Sequence, residues 1–204
     1  SQNTQTKRLE KAIKKTKIDF EKMGVQLGEL ISDSSLDIFE MYKQMLESPQ
    51  LSDEIEEKIQ AGWNAESGLK QVIDNYVRQF EALEDPYLRE RASDIRDLGN
   101  RILLHLLAES SSKEKLPEEF ILLAEDVTAT MLAEYQHQGL IAVVSISGSN
   151  NSHAAILARA LGLPAVMGIE AVALDLLDLK KAIVDGYSGE LFIEPNENLR
   201  REYL

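Results

Sequence analysis

With 204 residues, 44% of them hydrophobic, the chain can bury a real core as one large domain or two small ones, which excludes disorder and collagen. No apolar run approaches the ~20 residues that span a bilayer, and the absence of cysteine removes disulfide scaffolds and thiolate metal sites. Thirty-five acidic against 22 basic side chains, a formal charge of −13, argue against general nucleic-acid binding and favour a partner with a basic face.

Residues 1–107 carry apolar positions at helical spacing. Leu9, Ile13, Phe20, Met23, Leu27 and Ile31 form the stripe of a long opening helix. Ser34 with Asp37 three residues on resembles a capping box for a second helix bearing Ile38, Phe39 and Leu46, which Ser48-Pro49 should end. Ser52, followed by Asp53 and Glu54, is the expected cap of a third. Asn64 opens a fourth, with Leu69, Val72, Tyr76, Phe80 and Leu83 on one face. Asp85-Pro86 is a cap followed by an N1 proline, and the fifth helix turns Leu88, Ala92, Ile95, Leu98, Ile102 and Leu106 inward. Short connections predict an antiparallel helical bundle.

The pattern changes after the polar link Ser110 to Lys115. Phe120 to Leu123 reads as a short buried strand, and a helix from about Thr128 to Gln138 ends at Gly139. Leu140 to Val144 is a second strand, Ser147 to Asn151 a loop, Ser152 to Leu161 a helix, and Leu163 to Met167 a return to the sheet. Ala182 to Asp185 and Glu190 to Ile193 flank Gly186-Tyr187-Ser188-Gly189, a hairpin signal, and a last helix begins near Glu197. The expected class is therefore a helical bundle plus an α/β subdomain. The expected divisions are 1–109 for the helical part, 110–195 for the α/β part and 196–204 for an exit helix.

Gly148-Ser149-Asn150-Asn151-Ser152-His153 leads from a strand into a helix, with the histidine in its first turn. Such a terminus offers unpaired backbone N–H groups and the positive end of the helix dipole, which suit a phosphate. A neutral imidazole there can accept a phosphoryl group. Arg159, six residues on, falls on another face and reaches the same place only if its side chain folds back. The plainer reading of His153 is a capping or surface residue. Neither G-x-x-x-x-G-K-[ST] nor G-x-G-x-x-G is present, and no G-x-S-x-G elbow supports a serine hydrolase. His105 and His137 have no ligand-like spacing to His153, so no metal site is expected.

The run from Gly148 to Gly168, through Ser152-His153-Ala154-Ala155-Ile156-Leu157-Ala158-Arg159 and Pro164-Ala165-Val166-Met167-Gly168, resembles the phosphohistidine segment of enzymes that use phosphoenolpyruvate. Asp85 to Arg101, Ile38-Phe39-Glu40 and Met45-Leu46-Glu47 look like the helical insertion of enzyme I of the bacterial phosphotransferase system. Leu123 to Ala129 resembles the family's A-x-D-L-T-P segment. Two positions depart from the pattern: Ser149 replaces the second glycine of a pair, and Ala129 replaces the proline after Thr128. The wording around His153 is nearer the nitrogen-related branch than the sugar-transporting one.

The resemblance implies the N-terminal, phosphohistidine (swivelling) part of such an enzyme. There His153 takes a phosphoryl group that comes from phosphoenolpyruvate and passes it to a histidine of a small phosphocarrier of the HPr or NPr type. Thr128 would hydrogen-bond the His153 ring, or else simply cap its helix; Asn151 and Ser152 would meet phosphate oxygens, beside Gly148 and Arg159. Asp37, Glu40, Gln44 and Arg96 would meet the carrier, on a stretch where Asp33 to Glu66 holds nine acidic residues against Lys43 and Lys58. No cofactor is expected here: the family's magnesium belongs to a phosphoenolpyruvate-binding barrel that needs about 250 residues of its own. A chain that opens on Ser1 without a signal-peptide pattern is expected to be a trimmed, cytoplasmic piece of a longer protein; the resemblance implies a bacterial one, monomeric as a piece because the family dimerises through that barrel. Rival readings are the swivelling domain of a pyruvate phosphate dikinase-like enzyme and a non-catalytic, carrier-binding regulatory module.

Overall fold

Leu9, Ala12, Phe20, Met23 and Leu27 are buried along one stripe of α1 (Gln2–Gly28), the helix against which the others pack. The computed structural model describes residues 1–31, 34–107, 115–170 and 172–204, and the chain divides into two compact units, Ser1–Glu114 and Lys115–Leu204. Asp33 and residues 110–114 of the polar link lie outside the described residues.

The first unit is helical. After a 3-10 turn (Ser34–Leu36) come α2 (Asp37–Glu47), α3 (Pro49–Gln60), α4 (Ala65–Glu81) and α5 (Pro86–Leu106). Asn64 accepts from the Ser67 N–H and Asp85 from the Tyr87 N–H, so α4 and α5 start where their caps predict. The α2–α3 joint differs from expectation. Ser34 lies in the 3-10 turn, and α2 begins after Leu36 without a side-chain cap. Ser48 ends α2 and precedes α3, which starts at Pro49. Proline lacks the N–H that a first helical turn leaves unpaired, so it opens this helix as well as ending the last. Ser52 is therefore inside α3, its hydroxyl donating to the Pro49 carbonyl at 3.0 Å. Leu83 and Leu88 are both exposed, Leu83 beyond the end of α4; Ile73 and Val77 are buried on α4 instead.

Phe20, Phe39 and Tyr42 form an aromatic cluster, with ring centroids 4.9 Å apart for Phe20–Tyr42 and 6.3 Å for Phe39–Tyr42. The buried Tyr42 hydroxyl donates to Asp97 Oδ2 at 2.8 Å, which satisfies a phenol the core would otherwise strand. Between α1 and α5, Asp19 Oδ2 accepts from Arg101 Nε at 2.8 Å and meets His105 Nε2 at 2.5 Å.

The second unit holds β1 (Phe120–Ala124), α6 (Ala129–Tyr135), β2 (Leu140–Ser145), α7 (His153–Ala160), β3 (Ala165–Met167), α8 (Leu174–Leu177), β4 (Ala182–Asp185), β5 (Glu190–Ile193) and α9 (Glu197–Glu202). Strands β1, β2 and β3 pair in parallel in that order, and β4–β5 form a separate antiparallel hairpin. A central β2 explains the burial: five of its six residues are buried, whereas β1, expected as a buried strand, is half-buried because it lies at the edge. Gly139 closes the turn from α6 into β2 with φ +101°. A Cβ there would lie 1.9 Å from the Glu118 carbonyl oxygen, so the position admits only glycine.

Candidate functional site

Parallel strands bring the loops that follow them to one edge of the sheet, where open α/β sheets bind ligands. The loop after β2 runs from Ile146 to Ser152, and its base is stitched to the loop after β1. Ile146 N–H donates to the Ala124 carbonyl, and the Ser147 N–H and hydroxyl both reach the Glu125 carbonyl, at 2.7 and 2.8 Å. Ser145, fully buried at the end of β2, accepts from the Val127 N–H at 3.0 Å. A polar side chain at the end of an apolar strand is the one sequence signal for this role, and the motif around His153 does not include it.

Beyond this base, Gly148 turns with φ +95°. Ser149 Oγ accepts from the Asn151 N–H at 3.2 Å, and the Ser149 carbonyl accepts from the Ser152 N–H at 3.1 Å. Ser152 caps α7, its Oγ accepting from the Ala155 N–H at 3.1 Å. His153 is the first residue of α7 and is half-buried, with Ala154 and Ala155 behind it in the core. Arg159 folds back along the helix: its Nη2 donates to the Asn150 carbonyl at 2.6 Å. Nothing in the sequence marks Asn150 for this part, because a contact across nine residues leaves no local pattern to read. Gly168, with φ +73°, brings its backbone to the Gly148 carbonyl oxygen, 3.4 Å from where a Cβ would sit.

Thr128 is the N-cap of α6, accepting from the Met131 N–H at 3.4 Å, with the Thr130 hydroxyl 3.4 Å away. The arrangement gathers Gly148, Asn151, Ser152, His153 and Arg159 on one short loop and helix. Chemically it is a half-buried imidazole at a capped helix N-terminus, where backbone donors and the dipole stabilise incoming negative charge.

The family model for the PEP-utilising enzyme, N-terminal, matches residues 1–91, and that for the PEP-utilising enzyme, mobile domain, matches residues 116–189. A solved structure of the N-terminal domain of Enzyme 1 - Nitrogen is 37% identical with a TM-score of 0.67, the match covering 99% of this chain and 83% of that one. The chain belongs to the PEP-utilising enzymes, among the enzyme I N-terminal domains. A second solved structure, an NMR solution structure of Enzyme I (nEIt), is 29% identical with a TM-score of 0.67 and coverages of 99% and 82%. Among curated relatives, a protein of Escherichia coli (strain K12) named phosphoenolpyruvate-dependent phosphotransferase system is 39% identical over 196 residues, 96% of this chain and 26% of its own length. The phosphoenolpyruvate-protein phosphotransferase of Priestia megaterium is 34% identical over 198 residues, 96% of this chain and 35% of its own. The chain thus spans about a quarter to a third of the length of these relatives.

In this enzyme I domain the helical unit carries the remaining candidate residues. Asp37, Glu40 and Gln44 are exposed on α2 and Arg96 on α5. Asp37 and Glu40 lie in the first turn of α2, where acidic side chains suit the positive end of the helix. Glu40 is 3.5 Å from Lys43, and Arg96 is ion-paired with Glu81. Not all the acidic side chains from Asp37 to Glu66 face solvent alone: Glu54 accepts from the Tyr76 hydroxyl at 2.6 Å, and Glu66 is paired with Arg8. Burial and the Glu54 carboxylate push the Tyr76 phenol up to about 12. No helix among the described residues is long and apolar enough to cross a membrane.

Proposed function

We propose that the chain relays phosphoryl groups in a phosphotransferase system, taking them on His153 and giving them to a histidine of a small phosphocarrier protein. The observation that carries this is His153 opening α7 behind the Ser152 cap, with Arg159 bracing the preceding loop at Asn150. The names of the curated relatives and the likeness to a solved enzyme I domain support the same reading. In each transfer a ring nitrogen lone pair attacks phosphorus in line. The new N–P bond forms as the donor's N–P bond breaks, and that electron pair returns to the donor ring. Asn151 and backbone donors of the loop meet the phosphoryl oxygens, while Thr128 positions the ring. Residues 1–109 supply docking, 110–195 the chemistry and 196–204 the exit helix.

The docking face is the exposed side of α2 and α5, through Asp37, Glu40, Gln44 and Arg96, and an acidic surface there speeds encounter with a basic carrier. The carrier is of the nitrogen-related branch, in keeping with the 37% identity to a nitrogen enzyme I domain, and the setting is the bacterial cytoplasm. This chain exchanges with the carrier but does not itself cleave phosphoenolpyruvate, a substrate whose charge calls for a metal and several cations.

The test is incubation with labelled phosphocarrier, or with labelled phosphoenolpyruvate and magnesium, followed by mass measurement before and after mild acid. Acid-labile label on His153 from the carrier alone is expected, with none on the His153→Ala variant, which keeps its fold because a partly exposed first-turn side chain adds little stability. Label on the variant, or on His153 from phosphoenolpyruvate, overturns the reading. Unchanged carrier affinity of Glu40→Lys at low salt overturns the placement of the docking face.

A further inference from the structure

The two faces of α1 have opposite character. Leu9, Ala12, Thr16, Phe20, Met23 and Leu27 are buried, and α2, α3, α4 and α5 pack against that side. Opposite them run Lys7, Lys11, Lys14, Ile18, Lys22 and Val25, at spacings of four, three, four, four and three residues, with Lys15 alongside; all of these are exposed. At 3.6 residues per turn such spacing makes one line along an unbroken helix, about 27 Å from end to end. Ile18 is 40% and Val25 67% exposed, so the line is lysine interrupted by two apolar side chains.

The other cations of α1 are paired, Arg8 with Glu66 and Lys17 with Glu47. None of the five lysines on the outer face has an ion pair among the described residues, although acidic side chains outnumber basic ones 35 to 22 in the chain. Glu10 and Glu21 lie along one edge of the line, and Asp19 is turned inward to Arg101 and His105, so the face keeps an excess of positive charge. Like charges three and four residues apart on a helix repel, as Lys7, Lys11, Lys14 and Lys15 do here, and an anionic surface relieves that repulsion. The acids of α2 and α3 stand behind a helix about 10 Å across, which is the screening length at 0.1 M salt, so they do not cancel the outer face.

We propose that this face of α1 seats the chain reversibly on an anionic lipid surface, with the helix lying in the plane of the membrane. The lysine stems carry their ammonium groups to phosphate oxygens while Ile18 and Val25 settle at the headgroup boundary. A protein partner fits less well, because protein interfaces are poor in lysine and rich in aromatic residues, methionine and arginine, none of which the line holds. Nucleic acid fits less well too, since the line has no arginine, asparagine or glutamine for base edges and no aromatic ring for stacking. The surface belongs to the helical unit alone and does not involve His153.

The probe is unilamellar vesicles of phosphatidylcholine, alone or with one quarter phosphatidylglycerol, mixed with the 204-residue chain and read by co-sedimentation. At about 0.05 M salt the anionic vesicles should bind at least about tenfold more tightly than the neutral ones, and at about 0.3 M salt that binding should weaken at least about fivefold. A nitroxide-headgroup lipid should relax the amides of the outer face of α1 before any others. Lys11→Glu combined with Lys14→Glu should weaken binding at least about tenfold. Lys70→Glu combined with Lys115→Glu, which alters exposed lysines elsewhere and changes the net charge equally, should keep most of it. Equal binding of neutral and anionic vesicles, no binding at low salt, or equal loss in the two double variants overturns the proposal. So does a polyglutamate peptide or a DNA duplex that binds the same face more tightly than the vesicles do. If the Lys11 and Lys14 variant fails to fold, the comparison of lipids and the nitroxide pattern decide.

Discussion

Arg159 and Asn150 lie nine residues apart in sequence and 2.6 Å apart in the fold, the guanidinium of α7 holding the carbonyl of the loop that precedes His153. A helix side chain that returns to its own entry loop shapes the loop without belonging to it. Arg159→Met should therefore slow phosphoryl exchange with the carrier about five- to tenfold, the loss of roughly one charged hydrogen bond, while stability changes by no more than about 0.5 kcal/mol. Rapid-quench labelling with thermal unfolding on the same sample checks both halves.

Tyr203, just past α9, donates to Asp185 at 2.7 Å, and the Tyr187 and Ser188 N–H groups reach the same carboxylate at 2.9 and 3.1 Å. With Tyr203 first among the causes, these donors lower the Asp185 carboxyl from 3.8 to about 2. A depressed carboxyl contributes stability above its unfolded value and loses it as the pH falls through its folded one. The tie between α9 and the hairpin should hold at pH 5 and release between about pH 4 and 2. Tyr203→Phe should move the Asp185 titration back toward 3.8, and carboxyl NMR of both proteins reads this directly.

Gly139 and Gly62 both have positive φ, +101° and +104°, but only Gly139 faces a nearby carbonyl. Gly62→Ala should cost about 1–2 kcal/mol, the penalty of left-handed backbone alone. Gly139→Ala adds an overlap with Glu118 and should cost at least about 3 kcal/mol, or abolish folding of the second unit. Urea denaturation followed by the tyrosine signal of each unit separates the two.

Removing the hydroxyl of Tyr42 takes a donor from Asp97, which is 3% exposed. Tyr42→Phe should destabilise the helical unit by about 1–2 kcal/mol and leave phosphoryl exchange per folded molecule unchanged. A larger loss of exchange than of folded protein would contradict a purely structural role.

Helix starts at Asn64, Asp85 and Ser152 were legible in the sequence because an N-cap is a bond within three residues and carries its own signature. The α2–α3 joint was not, because Ser48, Ser52 and Pro49 all bear cap-like signals and packing of the two helices selects among them. The four-residue α8 (Leu174–Leu177) lacks a side-chain cap and has no signature to read. Around His153 the motif and its cap could be read, but the bracing could not. Arg159–Asn150, Ser145–Val127 and Gly168–Gly148 are contacts made by the fold, and each spans nine residues or more of chain.

The backbone of Gly168 against the Gly148 carbonyl, with Ser147 tied to Glu125, fixes the histidine loop while the chain folds. Its disorder is thus lost once, in the making of the protein, and not again at each meeting with a donor. If His153 takes the phosphoryl group as proposed, labelling should begin without a lag after mixing, and its temperature dependence should reflect the making and breaking of N–P bonds more than a rearrangement of the polypeptide.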